Sequence, residues 1–212
     1  MKSKTPEKKR IKSNLSNITQ KGVDLLISFS NDYSAKLSAS ELARSSKIPQ
    51  QTASRLLNNL ARLNLINYEK RGKNKLFYFN LEKQTTKIFF NFIEHQKALQ
   101  FQLKIKEISV IINEILKSCE SLIVFGSYAS KGFSKESDLD IVVLGRYDKE
   151  QIEKIKQKQV MEINEHYVSY NEFTRILESK NPLSIEIMKN HVLFGDVSKM
   201  VDIFWRREYE RR

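Results

Sequence analysis

The run Leu122-Ile123-Val124-Phe125-Gly126-Ser127, followed ten residues later by Asp138-Leu139-Asp140-Ile141-Val142-Val143-Leu144, leaves few folds open to this chain. Leu122 to Phe125 is a continuous apolar stretch closed by Gly126, the pattern of a strand covered on both faces. In Asp138 to Ile141 the side chains alternate. Asp138 and Asp140 therefore point to one face of a second strand, and Leu139 and Ile141 to the other. Two carboxylates held side by side repel one another unless a cation lies between them, and hard oxygen ligands of this kind suit Mg²⁺ or Mn²⁺.

Gly126 and Ser127 supply a complementary half. A glycine at a strand end lets the backbone approach a ligand closely, and Ser127 offers a hydroxyl and an N–H where a following helix would begin, an arrangement suited to phosphate. Strand, Gly-Ser, ten residues, Asp-x-Asp and apolar strand together resemble the signature of the DNA polymerase β-like nucleotidyltransferases, especially their minimal prokaryotic members. The resemblance covers about the C-terminal half of the chain. It implies a site for a nucleoside triphosphate, ATP as the expected substrate, with Asp138 and Asp140 as metal ligands and catalytic carboxylates. Gly126, Ser127 and Ser137 would bind the nucleotide. Many members carry a basic residue directly after Gly-Ser-x-Ala. Here Ser130-Lys131-Gly132 puts it one place later, and Lys131 is the expected phosphate contact.

The family completes its metal site with a third acidic residue on a later strand. In Val160 to Val168, Met161, Ile163 and Tyr167 form one face, while Glu162, Asn164 and His166 share the other. Glu162 is therefore the expected third ligand or base; Glu165 has the wrong parity. The other reading makes Glu162 a solvated strand residue. His95, His166 and His191 lack metal-ligand spacing and are read as structural.

Charge divides the chain unevenly. The formal net charge is +12, yet residues 1–80 carry 16 Lys/Arg against 5 Asp/Glu, and residues 119–212 carry 15 against 16. A basic half joined to a near-neutral half suggests that one part meets polyanions. Cys119 is the sole cysteine, so no disulfide framework exists. The absence of a long apolar run or signal-peptide core leads us to expect a cytoplasmic protein that does not engage a membrane.

Residues 1–14 read as a disordered basic arm, either gripping nucleic acid or serving as a solubilising tail. Apolar spacing predicts a helix over 17–29. A second begins at Ser38 or Ser40, and a third starts at Pro49 and carries Ala53, Leu56, Leu57, Leu60 and Leu63 on one face. Extended stretches at 67–70 and 76–80 flank Arg71-Gly72-Lys73-Asn74, a basic hairpin. Three helices and a basic hairpin resemble the winged helix-turn-helix domain of prokaryotic transcription regulators, here at 15–82. The resemblance implies that Gln50, Gln51, Thr52, Ser54 and Arg55 face base edges of double-stranded DNA. Lys70, Arg71, Lys73 and Lys75 would meet phosphates. A winged helix used for protein contact is the alternative.

Residues 82–118 lack Gly and Pro and repeat Ile88, Phe92, Leu99, Leu103, Ile108, Ile111, Ile112 and Ile115 at helical spacing. We expect a connector and homodimer helix at 83–100, then a C-terminal domain at 101–212 with a strand at 160–168 and helices at 149–158, 171–179, 182–190 and 197–209. The fold class is α+β: winged helix-turn-helix, long helical connector, and a small mixed-sheet nucleotidyltransferase fold. Two functions fit. One is Mg²⁺-dependent transfer of AMP to a protein or small-molecule hydroxyl by an antitoxin-like enzyme tethered to DNA, for which the family implies a HEPN-type toxin as a partner. The other is a transcription regulator whose C-terminal domain binds nucleotide without catalysis.

Overall fold

The computed structural model describes residues 20–30, 32–130, 132–134, 136–179 and 181–210. The basic arm, the first residues of the helix expected from 17, and Lys131 lie outside the described residues.

The N-terminal half begins with α1 (Gln20–Phe29), β1 (Leu37–Ser38), α2 (Ala39–Ser46) and α3 (Gln50–Arg62). It closes with a hairpin of β2 (Ile66–Arg71) and β3 (Asn74–Phe79). Ser38 caps α2 in a reciprocal box: its hydroxyl accepts from Glu41 N–H, and the Glu41 carboxylate takes the Ser38 N–H at 2.7 Å. Pro49 occupies the N-cap of α3, where its missing N–H costs nothing. The turn between β2 and β3 is Gly72-Lys73, with Gly72 at φ +60°, as a two-residue hairpin loop requires. β1 pairs with β3 and completes a three-stranded antiparallel sheet. At two residues it is too short to show a period in the sequence.

Residues 84–115 form two helices, α4 (Gln84–Lys104) and α5 (Lys106–Ile115). The break falls at Ile105 (φ −122°, ψ 70°), several residues later than the sequence spacing suggested. α4 buries Phe89, Phe90, Ile93, Glu94, Lys97 and Phe101. Ile88, Phe92, Leu99 and Leu103, the residues whose spacing predicted the helix, lie on its exposed side.

The C-terminal half holds a four-stranded mixed sheet in the order β6-β5-β4-β7. Its strands are β4 (Cys119–Val124), β5 (Leu139–Tyr147), β6 (Ile163–Val168) and β7 (Val192–Gly195). β4 is antiparallel to β5 and β7, while β5 and β6 are parallel. Between them come α6 (Gly126–Ser130), α7 (Lys149–Lys156), α8 (Tyr170–Glu178) and α9 (Pro182–Lys189), with α10 (Val197–Glu210) last. Strand alternation sends Ile123, Val142 and Leu144 into one core, with α8 and α10. Leu122, Val124, Ile141 and Val143 enter a second core with α5 and α7. Both faces are covered, so β4 and the start of β5 read as unbroken apolar runs. β6 begins at Ile163, three residues later than expected, which leaves Glu162 just ahead of the strand.

The first core continues into the N-terminal half through a chain of aromatic contacts. Phe29 meets Phe79 at 4.3 Å, Phe79 meets Phe90 at 4.3 Å, and Phe90 meets Trp205 at 5.5 Å. At this junction sits Glu94, fully buried. Its carboxylate accepts from Tyr33 Oη at 2.9 Å and from Lys97 Nζ at 3.0–3.1 Å, and His191 Nε2 lies 3.6 Å away. Burial is the largest influence on Glu94 and would raise its carboxyl, but Lys97 and His191 outweigh it and hold it at about 2.

Candidate active site and nucleic-acid interface

At the end of β4 the chain turns through Gly126 at φ +67° and enters α6. Phe125 N–H donates to Asp140 O at 3.1 Å, which ties this turn to the opening of β5. A Cβ placed on Gly126 would fall on Asp140 Oδ2 and lie 3.2 Å from its Cγ. Both the backbone angle and the space therefore demand glycine. The Gly126–Ser127 turn and the Asp140 carboxylate are thus in direct contact, although fourteen positions separate Gly126 from Asp140 in the chain.

Asp140 lies opposite Asn164 in the parallel pairing of β5 and β6. Asn164 Nδ2 donates to Asp140 Oδ1 at 3.2 Å, which orients the carboxylate with Oδ2 toward Gly126. Asp138 precedes β5 and is exposed; Leu139 N–H donates to Glu162 O at 2.9 Å, so Asp138 and Glu162 stand at adjoining strand mouths. Glu162 is also exposed. The sequence already put Asn164 on the Asp140 side by its period of two, but only the register shows that the two touch.

The remaining expected nucleotide contacts divide. Ser127 is half-buried and lines a cleft of about 570 Å³ with Gly126, Ser130, Pro182, Glu186 and Lys189. Lys189 was not singled out by its sequence, yet it is a cation facing the same space as the Gly-Ser turn. Ser137 Oγ accepts from Ser134 N–H at 2.8 Å and so closes the loop leading to Asp138. A second cleft, of about 720 Å³, holds Asp140, Glu162, Asn164, His166 and the Lys156–Glu165 ion pair, and shares Pro182 and Glu186 with the first.

The donor set fits a divalent cation. Among the described residues no three His, Cys, Asp or Glu side chains are gathered into a cage. Mg²⁺ binds commonly through one or two carboxylates and completes its shell with water and substrate phosphates. His166 is exposed and His191 is buried against Phe204 at 4.8 Å, so neither faces the other.

In the N-terminal half, Gln50, Gln51 and Arg55 are exposed and Thr52 and Ser54 half-buried on α3. Lys70, Arg71 and Lys73 are exposed at the hairpin tip. Lys75 is tied back instead: Nζ donates to Asn58 Oδ1 at 3.0 Å and lies 4.1 Å above the Tyr68 ring. It fastens the hairpin to α3.

Residues 105–194 match the family model described as a nucleotidyltransferase domain. The match runs from α5 to β7 and contains Gly126, Ser127, Asp138, Asp140 and Glu162. No curated protein matches the chain. Among solved structures, TrmBL2, an archaeal chromatin protein described as showing a novel mode of DNA binding, is similar over 90% of this chain and 90% of its own. At 10% identity and a TM-score of 0.26 that likeness carries no argument. No helix among the described residues is long and apolar enough to cross a membrane.

Proposed function

We propose that the protein is a Mg²⁺-dependent nucleotidyltransferase whose N-terminal half is a winged helix-turn-helix that binds double-stranded DNA. The observation that carries the enzymatic reading is the contact of Gly126 with Asp140, which joins a phosphate-binding turn to a metal-binding carboxylate. Asp138 and Asp140 would hold the cation, with Glu162 as the third carboxylate of the site. Mg²⁺ would neutralise charge on the triphosphate and on the leaving pyrophosphate. The Gly126–Ser127 backbone and Lys189 bind phosphate oxygens, Asn164 keeps Asp140 turned toward them, and Glu162 accepts the proton of the attacking hydroxyl. ATP is the proposed donor and AMP the transferred group. The acceptor is a protein or small-molecule hydroxyl, a HEPN-type toxin among the proteins to be tried. The exposed apolar stripe of α4 supports pairing with a second copy, which light scattering at micromolar concentration would test.

DNA binding rests on the exposed Gln50, Gln51 and Arg55 of α3, on Thr52 and Ser54 beside them, and on the basic hairpin tip. A second reading has its own support: the residue facing Asp140 is an amide, Asn164, and Glu162 stands outside the strand. In that reading the C-terminal domain senses nucleotide and the protein regulates transcription without chemistry.

Incubation with α-labelled ATP, Mg²⁺ and lysate separates the two. Label on a macromolecule that disappears in Asp138→Asn/Asp140→Asn protein supports transfer. Nucleotide binding with no label from any of the four triphosphates supports the sensor, and transfer retained in the double variant overturns the metal assignment.

A further inference from the structure

A partly open cavity of about 260 Å³ lies where the two halves meet. It is distinct from the clefts beside Asp140, although Ser130 and Asn190 line both it and the cleft of the Gly126–Ser127 turn. One side of its wall comes from the N-terminal half, through Ile27 and Ser28 of α1 and Ser45 of α2. The other side comes from α4, α6 and the segment before β7.

Three features define what the cavity would accept. Its floor is apolar, formed by Phe101, Tyr128 and Val192 among others. Its charged wall residues are Lys97 and Lys104, and no Asp or Glu is among the lining side chains. Lys97 is fixed by Glu94, whereas Lys104, exposed at the last turn of α4, makes no ion pair among the described residues. His191, also in the wall, donates through Nδ1 to Ile187 O at 2.8 Å and turns Nε2 toward the Glu94 carboxylate 3.6 Å away, which leaves Lys104 as the charged side chain free to meet a ligand.

We propose that this cavity binds a small organic anion, an apolar body bearing one carboxylate or phosphate. The space suits a body on the order of ten non-hydrogen atoms. The apolar body lies on Phe101 and Tyr128, and the anionic group meets Lys104 at the rim. Such a ligand touches α1 and α2 of the N-terminal half and α6 of the C-terminal half together. It therefore favours the arrangement in which they meet, and links occupancy of the cavity to both halves.

The probes are benzoate and phenyl phosphate, with benzamide as the neutral isostere of benzoate, added to the full chain and followed by ligand-observed NMR and thermal melting. At least one anion binds saturably with Kd below about 10 mM and raises Tm, and benzamide binds about tenfold more weakly, a difference of about 1.4 kcal/mol. Whichever anion binds more tightly identifies the carboxylate or phosphate class. Lys104→Glu, an exposed change, weakens that anion about tenfold, while Asp138→Asn/Asp140→Asn protein binds it as wild type does. The proposal fails if neither anion saturates, if benzamide binds equally, if Lys104→Glu has no effect, or if the Asp138→Asn/Asp140→Asn change abolishes binding and so places the anion at the nucleotide cleft.

Discussion

Replacing Lys97 by Met tests whether the two halves are held together by a charge network or merely by apolar contact. The Glu94 carboxyl is held at about 2 against an ordinary 4.5, which corresponds to about 3 kcal/mol of stability at neutral pH. Lys97→Met keeps most of the apolar stem and removes the ammonium 3.0 Å from Glu94. The carboxylate then remains fully buried, with the Tyr33 hydroxyl donating to it and His191 at 3.6 Å. Breaking one side of a buried pair costs about 3–5 kcal/mol. For a chain of this size each kcal/mol shifts Tm by about 2–4 °C. A fall of roughly 6–12 °C at pH 7 is expected from about 3 kcal/mol.

The pH dependence has a definite sign. In the wild type the folded value lies below the unfolded one, so the contribution of Glu94 is complete above 4.5 and is lost as pH falls toward about 2. In Lys97→Met burial prevails and lifts the carboxyl above its ordinary value, so acid relieves the variant. The Tm gap between the proteins therefore narrows steadily as pH is lowered from 7 to 3. Glu94→Gln added to Lys97→Met removes the stranded charge and recovers at least about half of the loss, as coupling between contacting residues requires. Urea and thermal melts across this pH range provide the assay. A fall below about 2 °C at pH 7, less than 1 kcal/mol at this size, or a gap independent of pH, would refute the reasoning.

Gly126→Ala forces a left-handed φ on a residue with a Cβ, at a cost of about 1–2 kcal/mol, and pushes Asp140 aside; Mg²⁺-dependent ATP binding by calorimetry should be lost while the chain stays folded by circular dichroism. Asn164→Ala frees the Asp140 carboxylate and is expected to weaken Mg²⁺-dependent nucleotide binding by about 10–100-fold, the usual effect of removing a residue that orients a ligand. Arg71→Ala should reduce the slope of log affinity for duplex DNA against log salt by about 0.9, whereas Lys75→Ala, which loses its Asn58 and Tyr68 contacts, should loosen the hairpin and lower Tm as well. Burial pushes the Cys119 thiol up to about 11, so at pH 8 about one molecule in a thousand is thiolate; Ellman's reagent should react with it far more slowly in the folded protein than in urea.

Much of this protein was legible from local chemistry. Apolar continuity marked β4 and β5, and Ser38-x-x-Glu41 announced α2. These signals arise between residues close in the chain, where backbone geometry alone decides which side chains share a face. β1 and β7 were less visible: Leu37–Ser38 gains its strand character from pairing with β3, and Val192–Gly195 from pairing with β4. The helical spacing of Ile88, Phe92, Leu99 and Leu103 identified α4 but not its buried side, because that choice depends on what packs against it. Phe90 meets Trp205 across 115 positions of sequence, and Glu94 finds His191 across 97. The contacts that organise the site are of the same kind: Gly126 against Asp140 follows from antiparallel pairing, and Asn164 against Asp140 from parallel register. Residue types and their spacing specified which chemistry the chain could carry. The folded arrangement decided which of those groups meet, since a strand's register, a helix's buried face and a charge's partner are set by surfaces that the linear order does not bring together.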